Sequence, residues 1–165
     1  MLVNPYRLEF RKIFESEKKT LRKCLGLKPR IEHFGSTAVP GLAGKGVIDI
    51  MVGFKNKAKL QAAASKLVSC GYFLSKKGQM ARGDRLFLSS RKKESGIGDI
   101  HLHLVLEKTE DFKGALRFRT RLRRSAPLRK RYRRIKEEAA RVAGEKRERY
   151  TRVKSAFIKE ASAIS

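Results

Sequence analysis

The sequence predicts an α+β fold: a mixed β-sheet of about four to five strands with helices packed on it, followed by a C-terminal region of three helices. The strongest strand signal is VIDIMVGF at 47–54, a β-branched apolar run typical of a strand buried on both faces. After about residue 108, apolar residues recur at helical spacing in three successive stretches. A helix, a block of strands with one helix inserted and then three helices is the order of an α+β domain.

Four further segments are predicted to form strands. They read RIEHFGS, YFLSKK, DRLFLSS and GDIHLHLVLE and begin at residues 30, 72, 84 and 98. Between the first strand and the 47–54 strand, STAVPGLAGKG is a loop with room for at most one helical turn. A polar loop around GQMARG lies between YFLSKK and DRLFLSS. GDIHLHLVLE alternates and then becomes apolar, which indicates a strand with one partly polar face.

Five helices are predicted from their boundaries and apolar stripes. The first has Asn4 as N-cap and Pro5 at its first helical position, and Gly26 ends it. The helix after the 47–54 strand has the stripe Leu60, Ala63, Ala64 and Leu67. Pro127 and Gly144 separate the three C-terminal helices. Their stripes are Ala115, Phe118, Leu122 and Ala126, then Leu128, Tyr132, Ile135, Ala139 and Val142, then Tyr150, Val153, Phe157, Ala161 and Ile164.

The length of 165 residues and the apolar content of 41% suit a single domain over 1–165, with a sheet core at about 30–107 and a basic helical part at about 108–165. No run of about 18 apolar residues and no secretory pattern is visible, so we expect a cytoplasmic protein that does not contact a membrane. Cys24 and Cys70 are expected to be small buried thiols in a reducing compartment, with a pairing between them as the alternative.

Positive charge dominates the composition, with 41 Lys and Arg against 16 Asp and Glu and a formal net charge of +25. Such an excess predicts a polyanionic partner: nucleic acid, nucleotide phosphates or an acidic protein. The alternative is a proteome that is basic throughout, or charge that serves solubility. The segment 108–154 holds 19 Lys or Arg against six Asp or Glu, and its arginines offer planar forks that match phosphate oxygens.

The stretch HFGSTAVPGLAGKGVID, from 33 to 49, carries the clearest candidate site. Gly35 at the end of a strand would let the backbone approach a ligand closely, and the hydroxyls of Ser36 and Thr37 could cradle phosphate oxygens. Asp49, on the neighbouring strand, could hold Mg²⁺ against those phosphates, and Lys45 is a further candidate to neutralise them. The alternative is a tight turn beside an aspartate that makes an ordinary hydrogen bond.

EHFGSTAVPGLAGKGVIDIMVGF resembles the signature of the GrpB family, a branch of the nucleotidyltransferase superfamily. The resemblance continues in order through CGY, RLF, HLHLV, LRFRTRLRRSAPLRKRY and YTRVKSAFI, and so covers nearly the whole chain. It implies a nucleotidyltransferase-like fold in which Gly35 and Ser36 bind a nucleoside triphosphate and Asp49 is the first metal-binding acid. The position of the second acid is Met51, as is common in GrpB-like sequences, so the resemblance does not support a two-metal mechanism.

The same resemblance implies roles for residues in the second half of the chain. Asp99 is a candidate third metal-binding acid. His101 and His103 lie on one strand face and are candidates to move a proton, to replace the missing acid or to bind phosphate, with hydrogen bonds within the sheet as the structural alternative. Further candidates come from the helices. Nucleotide or phosphate binding is expected of Arg119, Tyr150 and Lys154, whereas Arg121 is expected to point to solvent. The alternative for Tyr150 and Lys154 is a packed tyrosine with a lysine that extends to solvent.

Three functions remain open on these observations. The first is Mg²⁺-dependent transfer of a nucleotidyl group from a nucleoside triphosphate to a hydroxyl acceptor such as RNA, gripped by the basic 108–154 region. The second is a non-catalytic module that binds phosphate or nucleic acid, which the methionine at position 51 favours. The third is an assembly or chaperone-like domain, because GrpB-type domains also occur fused to a kinase of the coenzyme A pathway.

Overall fold

In a computed structural model of the protein, the structure describes residues 4–26, 28–75, 84–91, 96–143 and 147–163. The loop predicted around GQMARG lies outside the described residues. The elements along the chain are α1 (Glu9–Leu25), β1 (Arg30–Phe34), a 3₁₀ turn (Ser36–Ala38), β2 (Ile48–Phe54), α2 (Lys57–Ser69), β3 (Phe73–Leu74), β4 (Arg85–Ser89), β5 (Ile100–Leu106), α3 (Glu110–Arg124), α4 (Ala126–Ala143) and α5 (Arg147–Ala163).

The five strands form one mixed sheet in the order β1-β2-β5-β4-β3, which confirms the predicted fold class. β2 and β5 are parallel neighbours in the middle, and the other pairs are antiparallel. One face of the sheet packs on α1 and α2, in a core that includes the predicted stripe of α2. The opposite face carries Met51 and Val105, which pack on Phe112 of α3.

The first helix begins later than its sequence predicts. Asn4 does not cap it, because the backbone N–H of Asn4 donates to the carbonyl of Gly44 at 2.7 Å and the Gly44 N–H donates back at 2.9 Å. Those bonds commit the start of the chain to a bridge with the loop before β2, so the helix starts at Glu9. Its end agrees with the prediction, because Gly26 takes a φ of 64° that suits glycine.

The C-terminal helices pack against the loop that carries the candidate motif. Val39 and Leu42 of that loop join a cluster from all three helices, made of Phe118, Leu122, Tyr132, Phe157 and Ala161. Arg121 was expected to face solvent, and this prediction is wrong. Its guanidinium donates to the carbonyl of Ala161, because α3 lies against α5.

Cys24 and Cys70 are joined in a disulfide, so the prediction of two buried thiols is wrong. The two residues end neighbouring helices, α1 and α2, and their Cα atoms lie 6.4 Å apart. Because the two cysteines are paired, they no longer indicate a reducing compartment. The cytoplasmic location stays a prediction. Within the described parts of the chain, none of the helices combines the length and apolar character needed to cross a bilayer.

Candidate functional site

Gly35 brings the turn after β1 into contact with Asp49 of β2. The antiparallel register pairs Phe34 with Asp49, so the chain leaves β1 directly beside that carboxylate. A Cβ placed on Gly35 would lie 2.5 Å from Oδ2 of Asp49, and the φ of Gly35 is +74°. Both the space and the backbone conformation therefore require glycine at this position. The predicted pairing of a glycine turn with an acid on the next strand is present in the fold.

Asp49 faces two histidines on β5. The parallel register sets Asp49 opposite His101 and Met51 opposite His103. Oδ1 of Asp49 lies 3.5 Å from Nδ1 of His101 and 3.7 Å from Nε2 of His103. The three side chains keep 27%, 16% and 13% of their surface exposed, so the cluster is largely enclosed but reachable. The ring of Phe87 meets both imidazoles edge-on.

The two histidines differ in what surrounds them. The guanidinium of Arg85 contacts Nδ1 of His103. Because a guanidinium only donates, Nδ1 must accept, and the ring proton of a neutral His103 sits on Nε2, the nitrogen that faces Asp49. Burial lowers the pKa of His103 despite the opposing effect of Asp49, so the ring is neutral near pH 7. The Nε2–H of a neutral His103 is therefore directed toward the carboxylate of Asp49, and His101 is the better candidate to move a proton.

Met51 fills the place of a second acid with an apolar side chain. It is 2% exposed and packs against Val105 and against Phe112 of α3. The candidate third acid is engaged elsewhere: the carboxylate of Asp99 accepts from Arg91 Nε at 2.7 Å and from the backbone N–H of Gly96 at 2.5 Å. In the chain as described, no group of three or more His, Cys, Asp or Glu side chains is arranged to hold a metal.

This donor set fits one Mg²⁺ held together with a phosphorylated ligand. Mg²⁺ prefers oxygen ligands, keeps several waters and is often held by one or two carboxylates plus substrate phosphates. Asp49 supplies such a carboxylate, whereas the buried Met51 supplies no oxygen. Asp99 as a ligand stays a prediction, and it would first have to leave Arg91.

The loop from 36 to 46 turns its hydroxyls in different directions. Ser36 lies against Gly44, since a Cβ on Gly44 would be 2.1 Å from Oγ of Ser36. Thr37 is 2% exposed, donates to the carbonyl of Val47 at 3.0 Å and lies 3.0 Å from Nε2 of His33. Its hydroxyl thus braces the loop from within. Lys45 is exposed in the same loop.

Lys136 joins this loop, although its sequence position did not single it out. This lysine of α4 is only 6% exposed, and its ammonium donates to the carbonyl of Ala43 and lies 4.9 Å from the centre of the Tyr132 ring. A Cβ on Gly44 would lie 3.9 Å from the same ammonium, so Lys136 and Ser36 flank one glycine. The signal was its spacing, because Lys136 follows Tyr132 by four residues within an apolar stripe.

Arg119 lies at the outer edge of β1, beyond the Asp49 cluster. It donates to Oε2 of Glu32 at 2.9 Å and to the carbonyl of His33 at 2.6 Å. Burial raises the pKa of Glu32, but hydrogen bonds from Arg119 and Arg30 outweigh it and leave that pKa lowered. Tyr150 and Lys154 belong to α5, but their side chains fall outside the described part of the structure, so both stay predictions.

The fold is nucleotidyltransferase-like. The RNA terminal uridylyl transferase Cid1 superposes with a TM-score of 0.59 at 16% identity, over 86% of this chain and 43% of that one. A complex of the Cid1 poly(U) polymerase with MgGTP gives a TM-score of 0.58, also at 16% identity, over 86% and 46% of the two chains. At this identity the likeness establishes the fold alone.

The chain belongs to the GrpB family, whose model, described as GrpB protein, matches residues 1–163. The crystal structure of the conserved protein GrpB from Enterococcus faecalis has a TM-score of 0.81 at 26% identity and covers 98% of this chain and 94% of that one. A UPF0157 protein of Halalkalibacterium halodurans is 32% identical over 90% of this chain and 74% of its own length. The glutamate-rich protein GrpB of Alkalihalophilus pseudofirmus is 26% identical over 92% and 87%.

Proposed function

We propose that this protein binds a nucleoside triphosphate with Mg²⁺ beside Asp49 and transfers the nucleotidyl group to a hydroxyl of RNA. The observation that carries the proposal is the contact between Gly35 and Asp49. It leaves no room for a side chain between the turn that begins at Ser36 and the only carboxylate that faces His101 and His103 among the described residues. Phosphates held by the turn would thus lie next to an acid able to hold their metal.

The side chains around Asp49 and the neighbouring loop would have different roles in this reaction. Ser36 and Lys136 bind phosphate oxygens, with Lys45 as an additional cation. Asp49 holds Mg²⁺, which when bound stabilises negative charge on the phosphates. His101 accepts the proton of the attacking hydroxyl, whose oxygen forms a bond to the α-phosphorus. The bond from that phosphorus to the β-bridging oxygen breaks, and pyrophosphate leaves with the electron pair.

The acceptor proposal depends on the basic helices. Between Lys108 and Lys154 the chain carries 19 basic against six acidic residues, and several of these arginines are exposed on α3 and α4. The exposed ones include Arg117, Arg124, Arg131, Arg133 and Arg134. A row of such side chains suits the phosphate backbone of a single strand. Among acceptors that carry a hydroxyl, RNA therefore fits the charge best.

Substitution of Asp49 by Asn tests the reaction while leaving the shape of the side chain unchanged. We expect Asp49→Asn to lower Mg²⁺-dependent incorporation of labelled nucleotide into RNA by at least about 100-fold, since the amide is a far weaker Mg²⁺ ligand. The matched control is Asp84→Asn, which removes a partly exposed carboxylate paired with Lys57 at 3.4 Å, away from the cluster. Equal incorporation by Asp49→Asn and the wild type would contradict the proposed reaction.

A non-catalytic module that binds phosphate or nucleic acid is the second candidate, and the buried Met51 favours it. This candidate predicts RNA affinity that falls steeply with salt, needs no divalent metal and is equal in Asp49→Asn and the wild type. Binding measurements at two salt concentrations, with and without EDTA, separate the candidates when they accompany the incorporation assay. RNA affinity without incorporation would leave the binding module as the function.

A further inference from the structure

A cavity lies beside His33, and its described lining does not include the Asp49 cluster. It has a volume of about 620 Å³ and opens between α1, the free outer edge of β1 and α3. Its described lining shares Thr37, Ala38 and Pro40 with the motif loop, residues 36–46, but includes neither Ser36 nor Asp49 nor the histidines of β5. A volume of this size suits a ligand as large as a nucleotide. The cavity is therefore a separate place for a ligand.

Cationic side chains dominate the wall of this cavity. Five of them line it, against two acids. The cations are Arg11, Lys18, Arg119, Arg123 and Arg129, and the acids are Glu15 and Glu32. One of the acids is already used within the protein, since the carboxylate of Glu32 accepts from Arg119 and from Arg30. The remaining charge is strongly positive, and a bound anion would relieve the repulsion between these cations.

The arginines of α3 are held at the cavity by bonds to the backbone. Nε of Arg123 donates to the carbonyl of Ala38 at 2.9 Å, and Arg119 donates to the carbonyl of His33. These bonds hold both guanidinium groups beside the cavity, Arg119 half-buried and Arg123 exposed. Nε of Arg119 is buried and has no hydrogen-bond partner among the described residues. Burial, and after it the charge of Arg119, lowers the pKa of Arg123, in keeping with crowded positive charge.

One wall of the cavity is largely aromatic. The ring of Phe14 stacks on His33 with centroids 4.7 Å apart, and Tyr6 and Pro40 complete this wall. An inorganic ion would leave most of such a space unfilled, whereas a ligand with one phosphate and a planar organic part would contact both the cationic and the aromatic wall. The geometry thus combines phosphate recognition with room for a nucleoside.

We propose that this cavity binds the phosphomonoester group of a nucleotide, either free or at the 5′ end of a strand. The inference goes beyond the proposed nucleotidyl transfer, since it needs neither Mg²⁺ nor the side chains of Ser36 and Asp49. Arg119 belongs to this cavity, which gives a physical setting for its predicted binding of phosphate. Arg11 from α1 and Arg123 from α3 both line the cavity and would bind the phosphate together.

Calorimetric titration of the full chain in EDTA tests the proposal with AMP and adenosine as probes. We expect AMP to bind at one site and adenosine at least about 10-fold more weakly, because charge-assisted hydrogen bonds to the phosphate are lost. Arg11→Gln and Arg123→Gln should each weaken AMP binding about 10-fold. The matched control is Arg124→Gln, which removes the same charge from the residue after Arg123, exposed and outside the cavity lining.

Three results would overturn the inference. Equal affinity for AMP and adenosine would remove the role of the phosphate. An Arg124→Gln variant that weakens AMP as much as Arg11→Gln would reduce the effect to overall charge. A loss of AMP binding in Ser36→Ala as large as in Arg123→Gln would place AMP in the motif loop. Failure of the proposed transfer shows elsewhere, in the Asp49→Asn incorporation assay, so the two failures are distinguishable.

Short RNA separates the two sources of the phosphomonoester. A 5′-phosphorylated trinucleotide that binds more tightly than AMP, and loses that affinity in Arg11→Gln, supports the end of a strand as the ligand. Tighter binding of AMP than of the trinucleotide supports a free nucleotide. Equal binding of the 5′-phosphorylated and 5′-hydroxyl trinucleotides contradicts the proposal, because the terminal phosphate would then contribute nothing.

Discussion

The two faces of the central strands, β2 and β5, carry side chains of different character. Toward α1 and α2, β2 and β5 present only apolar side chains, among them Ile50 and Leu102, both fully buried. Toward α3, the same strands present the polar cluster of Asp49, His101 and His103 in their first halves and apolar residues, Met51 and Val105, from the middle onward. Because successive side chains of a strand point to opposite faces, residues that stabilise the core alternate with residues of the candidate site. On the face toward α3, the residues that α3 covers form a small apolar core, and the candidate site lies beyond it.

Met51 lies at the boundary between the candidate site and this apolar core. We expect a polar substitution there to have the largest effect on the free energy of unfolding. We expect Met51→Asp to lower the free energy of unfolding by about 3–5 kcal/mol, because a carboxylate would be buried against Phe112 without a partner. Urea unfolding at pH 7 and pH 5 measures it, and protonation of the new acid should reduce the loss at the lower pH. The acid should therefore fail to improve the site.

Met51→Leu is the matched control, since it keeps the position apolar and should cost less than about 1.5 kcal/mol. A Met51→Asp variant as stable as Met51→Leu would show that the α3 face is open to water at this depth. Position 51 could then hold the second metal-binding acid that the resemblance to nucleotidyltransferases implies there.

Neighbouring residues of β5 offer a second test of the two faces. Leu102 is fully buried against the helices, and we expect Leu102→Ala to cost about 3 kcal/mol in free energy of unfolding through the cavity it leaves. His101→Ala should cost less than about 1 kcal/mol but abolish incorporation of nucleotide. Urea unfolding and the incorporation assay on both variants measure this. A reversed order of the two stability losses would contradict the division between the faces.

Much of the fold was predictable because local patterns and tertiary packing agree. The stripe of α2 and the apolar run of β2 lie where their spacing indicates. The prediction failed where distant groups decide the local structure. Asn4 bonds to Gly44 instead of capping a helix, and Cys24 meets Cys70 because two helix ends converge. Neither contact leaves a signal in the neighbouring sequence.

The candidate site shows the same division. Gly35 and Asp49 were predictable because a turn and the next strand are linked by the chain itself. The contact of Arg85 with His103 depends on the register between β4 and β5, which the sequence does not reveal. Lys136 was missed because a lysine on a basic helix resembles a surface residue, and only the packing of α4 on the motif loop buries it.

His33 provides a pH-dependent test, because it is a titratable group on the face of the sheet toward α1, which is otherwise apolar. Burial lowers the pKa of His33 to about 4, with Arg123 and Arg119 acting in the same direction and Asp49 opposing them. The unfolded state, with an ordinary histidine pKa of about 6.5, therefore binds more protons between pH 6.5 and pH 4. Stability should fall as the pH falls through that window, by up to about 3 kcal/mol.

Urea unfolding from pH 7 to pH 4 measures this loss in the wild type and in His33→Gln. The variant can still hydrogen-bond to Thr37, but it does not titrate, so its stability curve should be flatter between pH 6.5 and pH 5. His103, whose pKa is also lowered, leaves a residual slope in both proteins. Identical curves would show that His33 is accessible to protons in the folded state, and the aromatic wall it shares with Phe14 would then be open to water.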